Sequence, residues 1–295
     1  MTTLRLMGYC PFTNYSTIFL LHCSSIRWLF LMLEICYITY VIVKRGGAMA
    51  KEIFSRYELK YLIDMETYWR LREEIMPYVR YDSHGPEGKY NIVSLYFETP
   101  ERRIYYETRN KLRFRQKLRL RVYGDASLED KAFFEIKQKY NKVVNKRRTS
   151  IVLQDAYDYI YHGKDPQLAR VSNPQIFREI QSFQNLYNLH PEIIVSYDRQ
   201  AFQGLFEKDL RVTFDYNLMC RQDDLRVENG PEGQIFLDPN LVILEVKITN
   251  SVPFWLARML SNLGCVKRSV SKYCTSMETI SEGVRTYGFK LASSC

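Results

Sequence analysis

From residue 55 onward the chain alternates charged and apolar positions in short runs. In "SRYELKYLI" (55–63), Arg56, Glu58 and Lys60 take every second place, with Tyr57, Leu59 and Tyr61 between them. A strand turns successive side chains to opposite faces, so the three charges share one face. Four more runs repeat the pattern. "KLRLRVY" aligns Lys117, Arg119 and Arg121, and "FFEIKQK" aligns Glu135, Lys137 and Lys139. "LRVTFDY" aligns Arg211, Thr213 and Asp215, and "LVILEVKIT" aligns Glu245, Lys247 and Thr249. Further strands are predicted at 90–99, 143–153 and 192–202, about eight in all.

Helical periodicity separates them. Residues 64–79 carry Asp64 as a cap candidate and Tyr68, Leu71, Ile75 and Val79 at helical spacing. Residues 173–189 open with Asn173 and Pro174, a cap followed by a first-turn proline. Residues 253–264 open with Pro253 and stop at Gly264, and a fourth helix is predicted over 271–283 from Ser271. The fold class is α+β: a closed or nearly closed antiparallel β-barrel of about eight strands, with helices packed outside. Residues 49–295 form one domain.

The charged faces admit two readings. A solvated face is the ordinary one. Against it, Arg and Lys recur two or three to a strand, and like charges side by side repel, by roughly 3 kcal/mol per pair ~5 Å apart at an effective dielectric of 20. With the apolar faces covered by helices, a barrel of about eight strands leaves a lumen for side chains and one slim ligand. A cationic lumen around an extended anion satisfies both charge and geometry.

Composition narrows the chemistry. The net charge of +9 favours an anionic partner. Seven cysteines, at 10, 23, 36, 220, 265, 274 and 295, include no C-x-x-C pair; three fall in the first 48 residues, and the remainder read as free thiols of a reducing cytosol. Four histidines (22, 84, 162, 190) lack the spacing of a zinc site, and nothing points to a Ser-His-Asp triad. No P-loop or dinucleotide fingerprint occurs. The basic residues lie on alternating strand positions rather than in an outer stripe, which argues against nucleic acid as a partner.

Residues 1–48 stand apart. The stretch 17–43 is strongly apolar but interrupted by His22, Arg27 and Glu34, a marginal membrane span. Two readings stay open. One is a membrane segment that anchors the domain to the inner face of a membrane. The other is an upstream extension: codons for Gly46-Gly47 can spell a ribosome-binding sequence ahead of Met49, making Met49 the start in a bacterial source and the protein cytoplasmic. Without that segment the remainder carries 38 basic and 32 acidic residues, about +6.

The blocks "RYELKY", "SLYFET", "KLRLRVY", "FFEIKQK", "KRR", "SYDRQAF", "LRVTFD", "LEVKI" and "SVSKY", in that order over 52–280, resemble the VTC domain of polyphosphate polymerases, within the CYTH-like triphosphate tunnel metalloenzymes. The resemblance implies transfer of the γ-phosphoryl group of ATP to a growing polyphosphate chain in a basic tunnel, assisted by Mn²⁺ or Mg²⁺. It implies catalytic roles for Lys60, Arg119, Arg121, Lys137, Arg199, Lys247 and Lys272. It implies phosphate or substrate binding by Arg56, Lys117, Lys146, Tyr197, Arg211 and Ser271, and metal binding by Glu245, with Glu58 as a second candidate. Each carboxylate also has a structural reading: Glu245 could pair with Lys247 or Arg121, and Glu58 could orient Arg56 and Lys60. Tunnel triphosphatases carry E-x-E-x-K on the first strand; here Arg56-x-Glu58-x-Lys60 puts a cation first, which favours synthesis over hydrolysis. Two alternatives remain: a non-catalytic subunit binding polyphosphate or another anionic polymer, and a tunnel triphosphatase.

Overall fold

The computed structural model describes residues 57–141 and 143–282. The expectations for residues 1–48 and for Arg56 fall outside the described residues. The main strands are β1 (Tyr57–Asp64), β3 (Lys89–Glu98), β4 (Phe114–Tyr123), β5 (Lys131–Tyr140), β6 (Val143–Val152), β7 (His190–Gly204), β8 (Arg211–Arg221) and β10 (Leu241–Ile248). They pair antiparallel in the order β1-β10-β8-β7-β3-β4-β5-β6; short strands β2 (Val79–Tyr81) and β9 (Gln234–Ile235) add to β7 and β8.

The expected closed barrel is corrected to a curled, open sheet. Among the described residues β1 and β6 are its two edges and share no backbone pairing. The edge strand β6 carries Lys146, Arg147 and Arg148 in succession, and charges on an edge discourage a further strand from adding. The curl nonetheless brings β5 over to β1, where Lys137 Nζ lies 3.3 Å from Glu58 Oε2. Side chains, not backbone, bridge this seam.

The alternation sorts the two faces as expected. On the convex face, Leu118, Leu120, Phe134 and Ile136 are buried in one core cluster. That side is covered by α3 (Leu153–His162) and α4 (Pro174–Tyr187), whose Phe177 ring meets Phe134 at 6.1 Å. Tyr61, Ile63, Val212, Phe214, Leu244 and Val246 form a second cluster. It lies beneath α1 (Met65–Ile75) and α5 (Phe254–Asn262), which insert Leu71, Ile75, Leu256 and Leu260. Each such fully buried side chain contributes about 1.5–3 kcal/mol relative to exposure.

The predicted caps are in place: Asp64 accepts from Thr67 N at 2.7 Å, and Asn173 from Ile176 N at 3.1 Å. The first helix ends at Ile75 rather than 79, because Pro77 follows and Val79 is already in β2. Two helices were not foreseen. Helix α3 leaves β6 directly with no capping side chain. Helix α2 (Arg103–Arg109) has its cap five residues upstream of its start. There the buried Glu98 carboxylate accepts from the backbone N–H of Thr99 (2.8 Å), Ile104 (2.9 Å) and Tyr105 (2.8 Å).

Helix α6 (Lys272–Glu282) packs against α2, β7 and β8. Its Tyr273 stacks on Tyr96 of β3 with ring centroids 5.1 Å apart and donates its hydroxyl to Glu98. A register shift between Ser196 and Asp198, where Asn217 on β8 adopts φ 50°, changes which residues of β8 face inward. Asp215 is level with Arg199 before the bulge, and Cys220 with Val195 beyond it. Among the described residues, Cys220, Cys265 and Cys274 are free thiols.

Candidate functional site: a cationic groove with its own carboxylates

Strand register assembles the concave face from residues far apart in sequence. Glu58 pairs with Lys247 and Lys60 with Glu245 between β1 and β10, and Lys247 sits beside Arg211 of β8. Across the other half run Tyr96–Arg119–Glu135–Arg148 and Lys117–Lys137–Lys146. Side-by-side cations are therefore real. The charge that offsets them is in part the protein's own, in four carboxylates: Glu58, Glu135, Asp215 and Glu245. The cations named on this face outnumber them by more than two to one.

Glu245, 5% exposed, is ringed by four cations. Lys60 Nζ donates to its Oε1 at 2.8 Å with Lys272 Nζ at 3.3 Å, while Lys247 Nζ (2.8 Å) and Arg199 (3.8 Å) face Oε2. Asp215 has no exposure; Arg199 grips it through Nε (2.6 Å) and Nη2 (2.7 Å), and Lys272 Nζ lies at 2.6 Å. Burial alone raises a carboxyl pKa, but Lys247, Lys60, Lys272 and Arg199 hold Glu245 well below the usual range, and Arg199 and Lys272 hold Asp215 down. Glu58 lies 3.2 Å from Lys60 and 3.3 Å from Lys137. The structural pairing of Glu245 with Lys247 is thus realised. Arg121 lies elsewhere, 3.9 Å from Glu135.

Glu135, 1% exposed, centres the second half. Arg119 meets its Oε2 at 2.6 Å and Lys146 its Oε1 at 2.5 Å, with Arg148 at 3.9 Å. Arg119 also donates to Tyr96 Oη (2.9 Å), and Arg121 to Ser94 Oγ (3.0 Å) and Tyr197 Oη (3.1 Å). The Tyr197 ring in turn lies against Lys272 (4.7 Å) and Arg199 (5.4 Å), joining the two halves.

Lys117 differs from these cations. Its Nζ donates to Ser271 Oγ at 3.1 Å and lies 5.0 Å from the Tyr273 ring centroid, and burial pushes its pKa down to about 8. Ser271 caps α6, its Oγ accepting from Cys274 N at 3.3 Å. The helix therefore starts at the groove, with the favourable end of its dipole there. Burial raises the Tyr96 phenol, but Arg119, Arg121 and Lys117 outweigh it and set its pKa at about 8. Arg211 stands at the rim, held by Asp82 and, at 3.1 Å, by Tyr90 Oη.

Every expected site residue that is described thus lies on this face, at its rim, or at the α6 terminus facing it. Sequence reasoning did not select Glu135, Asp215, Arg148 or Tyr96 as site residues. The alternation places Glu135 beside Lys137 and Asp215 beside Arg211; their partners emerge from strand register and, for Lys272, from the docking of α6.

No group of three or more His, Cys, Asp or Glu suited to a metal ion occurs among the described residues. Glu245 alone, ringed by cations, does not make a cage for a resident ion. One carboxylate does suit a hard cation that arrives on phosphate oxygens with its own waters.

The class of protein is thus a curled antiparallel sheet whose concave face carries a partly buried array of cations with a helix terminus facing it. A model of the VTC domain family matches residues 55–281, and the chain belongs to that family. It is 24% identical over 225 residues to vacuolar transporter chaperone complex subunit 4 of Trypanosoma cruzi, a match covering 62% of this chain and 28% of that protein. The chain thus spans under a third of that relative's length. Among solved structures it is similar to a provisionally assigned adenylate cyclase of Bacillus halodurans (TM-score 0.45, 14% identity, 76% of this chain and 96% of the other). It is also similar to a Hippeastrum protein provisionally assigned as an adenylyl cyclase and described with a dominant triphosphatase activity (TM-score 0.43, 13% identity, 75% and 94%).

Proposed function

We propose that the protein is a polyphosphate polymerase that transfers the γ-phosphoryl group of ATP to the end of an inorganic polyphosphate chain. The observation that carries this reading is the partly buried cation array on the concave face, in a chain of the VTC family. Phosphoryl transfer calls for little covalent chemistry; it calls for in-line positioning and for charge on the equatorial oxygens. Arg119, Arg121 and Arg199 are permanently charged forks held in fixed orientations, suited to grip phosphate oxygens at two points. Lys60, Lys137, Lys247 and Lys272 are movable point charges that can leave a carboxylate for a phosphate. Lys117, Lys146, Arg211, Tyr197 and Ser271 line the path of the chain. A Mg²⁺ or Mn²⁺ ion entering as part of the nucleotide substrate would meet Glu245, with Glu58 next to it, and would neutralise charge on the bridging oxygens.

The test is to incubate the purified protein with ATP and Mn²⁺ and resolve the products. ADP with lengthening polyphosphate supports the reading. Free phosphate alone makes the protein a triphosphatase, and tight polyphosphate binding without turnover makes it a binding subunit. The name of the trypanosomal relative supports a place in a multi-subunit complex. No helix among the described residues is long and apolar enough to cross a membrane. Anchoring would therefore rest on residues 17–43 or on a partner subunit.

A further inference from the structure

Glu135 is an unusual residue to find at the centre of an anion-binding surface. It is a carboxylate, 1% exposed, and it occupies the middle of four cations. Those four fall into two kinds. Arg119 and Arg121 have 17% and 4% of their side chains exposed and are anchored independently by Tyr96, Ser94 and Tyr197. Each therefore has a partner besides Glu135. Lys146 and Arg148 are 43% and 45% exposed, stand on the edge strand β6, and face Oε1 of Glu135. Arg148 is otherwise held by the Phe133 ring, 4.3 Å from its guanidinium carbon. Lys146 Nζ lies 2.5 Å from Glu135 Oε1. The contact is one of charge, which a better acceptor can take over.

We propose that Glu135 is an internal competitor for the substrate's phosphates. In the empty groove it neutralises Lys146 and Arg148 and holds them inward; a polyanion gains them only by drawing them away from Glu135. The carboxylate thereby lowers the groove's affinity for a phosphate chain and favours its release, which a surface of unopposed cations would resist. This inference rests on the polyanion-binding reading of the same face. It differs from a structural role in sign: removing a merely structural carboxylate loosens the groove and weakens binding, whereas removing a competitor tightens it.

The experiment is calorimetric binding of inorganic tripolyphosphate, without metal or nucleotide, to the wild-type chain, Glu135→Gln and Glu135→Asp. Freeing two half-exposed cations, each in a solvent-screened contact, predicts that Glu135→Gln binds about threefold to tenfold more tightly. Its melting temperature should fall without tripolyphosphate and recover with it. Glu135→Asp keeps the negative charge among the four cations but draws it back from Lys146 and Arg148; it should bind more tightly than wild type by a smaller factor, and it covers the case in which the Gln variant fails to fold. If the wild type binds and neither variant binds more tightly, Glu135 is not a competitor and the polyanion reading stands. If the wild type does not bind tripolyphosphate, both fall together.

Discussion

Lys137 of β5 and Glu58 of β1 approach to 3.3 Å although their strands are not hydrogen-bonded neighbours. The contact bridges the seam that the backbone leaves open, with Lys60 at 3.2 Å on the same carboxylate. Lys137 is 40% exposed, so the pair contributes at most about 1 kcal/mol to stability. Lys137→Met should therefore leave the chemical-denaturation midpoint nearly unchanged. The same variant should lower polyphosphate synthesis by about tenfold or more, because a charge-assisted phosphate contact of about 1.5–3 kcal/mol is lost. A large stability loss with normal activity would show that the seam is structural only.

Asp215 presents the opposite case. It has no exposure and joins Arg199 to Lys272, so it ties β8 to β7 and to the start of α6. Breaking a buried pair leaves uncompensated cations behind, at a cost of about 3–5 kcal/mol. Asp215→Asn should lower unfolding free energy by that order in urea titrations. Asp215→Asn combined with Lys272→Met should recover part of the loss, because one of the stranded charges is then gone. No recovery in the double variant would place the cost elsewhere than in the stranded charge.

The contrast between these acids shows what the sequence makes readable. Alternation marks the face on which Lys60, Arg119, Lys137, Glu245 and Lys247 lie, because a period of two is set by the backbone. It does not say which carboxylate meets which cation. The Glu245–Lys247 contact joins residues two apart on one strand and was legible. The Glu135–Lys146 contact depends on the β5–β6 register, and the Asp215–Lys272 contact on where α6 docks. Closure was misjudged for a related reason: counting strands constrains barrel size, but whether β1 and β6 meet depends on cumulative twist and on the charge of the edge. Helix α2 was missed because its cap, Glu98, belongs to the preceding strand.

Glu98 links that missed helix to the groove. The backbone N–H of Thr99, two more from the first turn of α2 and the Tyr273 hydroxyl all donate to one buried carboxylate. Tyr273 in turn stacks on Tyr96 and holds the first turn of α6, where Ser271 meets Lys117. Glu98→Ala should cost about 2–4 kcal/mol, the range for a lost charged cap plus a stranded hydroxyl. Amide hydrogen exchange should accelerate in both 103–109 and 272–276. Acceleration confined to 103–109 would mean that α6 is positioned without Glu98.

Lys117 and Tyr96 both titrate at about 8 in the folded chain, Lys117 lowered from 10.5 by burial, Tyr96 lowered from 10.0 by Arg119, Arg121 and Lys117 against the opposing effect of burial. For each, between about 8 and the unfolded value, the unfolded chain keeps a proton that the folded chain has released. The unfolded state then binds more protons, so these two groups make stability rise with pH across that window. Ligand binding runs the other way. From pH 7 to pH 9 the groove loses one cation at Lys117, loses charge also at Lys146, whose pKa burial pushes down to about 7, and gains one phenolate at Tyr96, so affinity for tripolyphosphate should fall by about tenfold or more. Lys117→Arg keeps its charge and Tyr96→Phe cannot ionise. Each variant should remove part of the fall, and the double variant more than either alone, leaving the share that Lys146 carries. Because the ligand's own titration is common to all four proteins, the ratio of affinities between the two pH values isolates the groove. An unchanged pH slope in the double variant would assign the dependence to other groups.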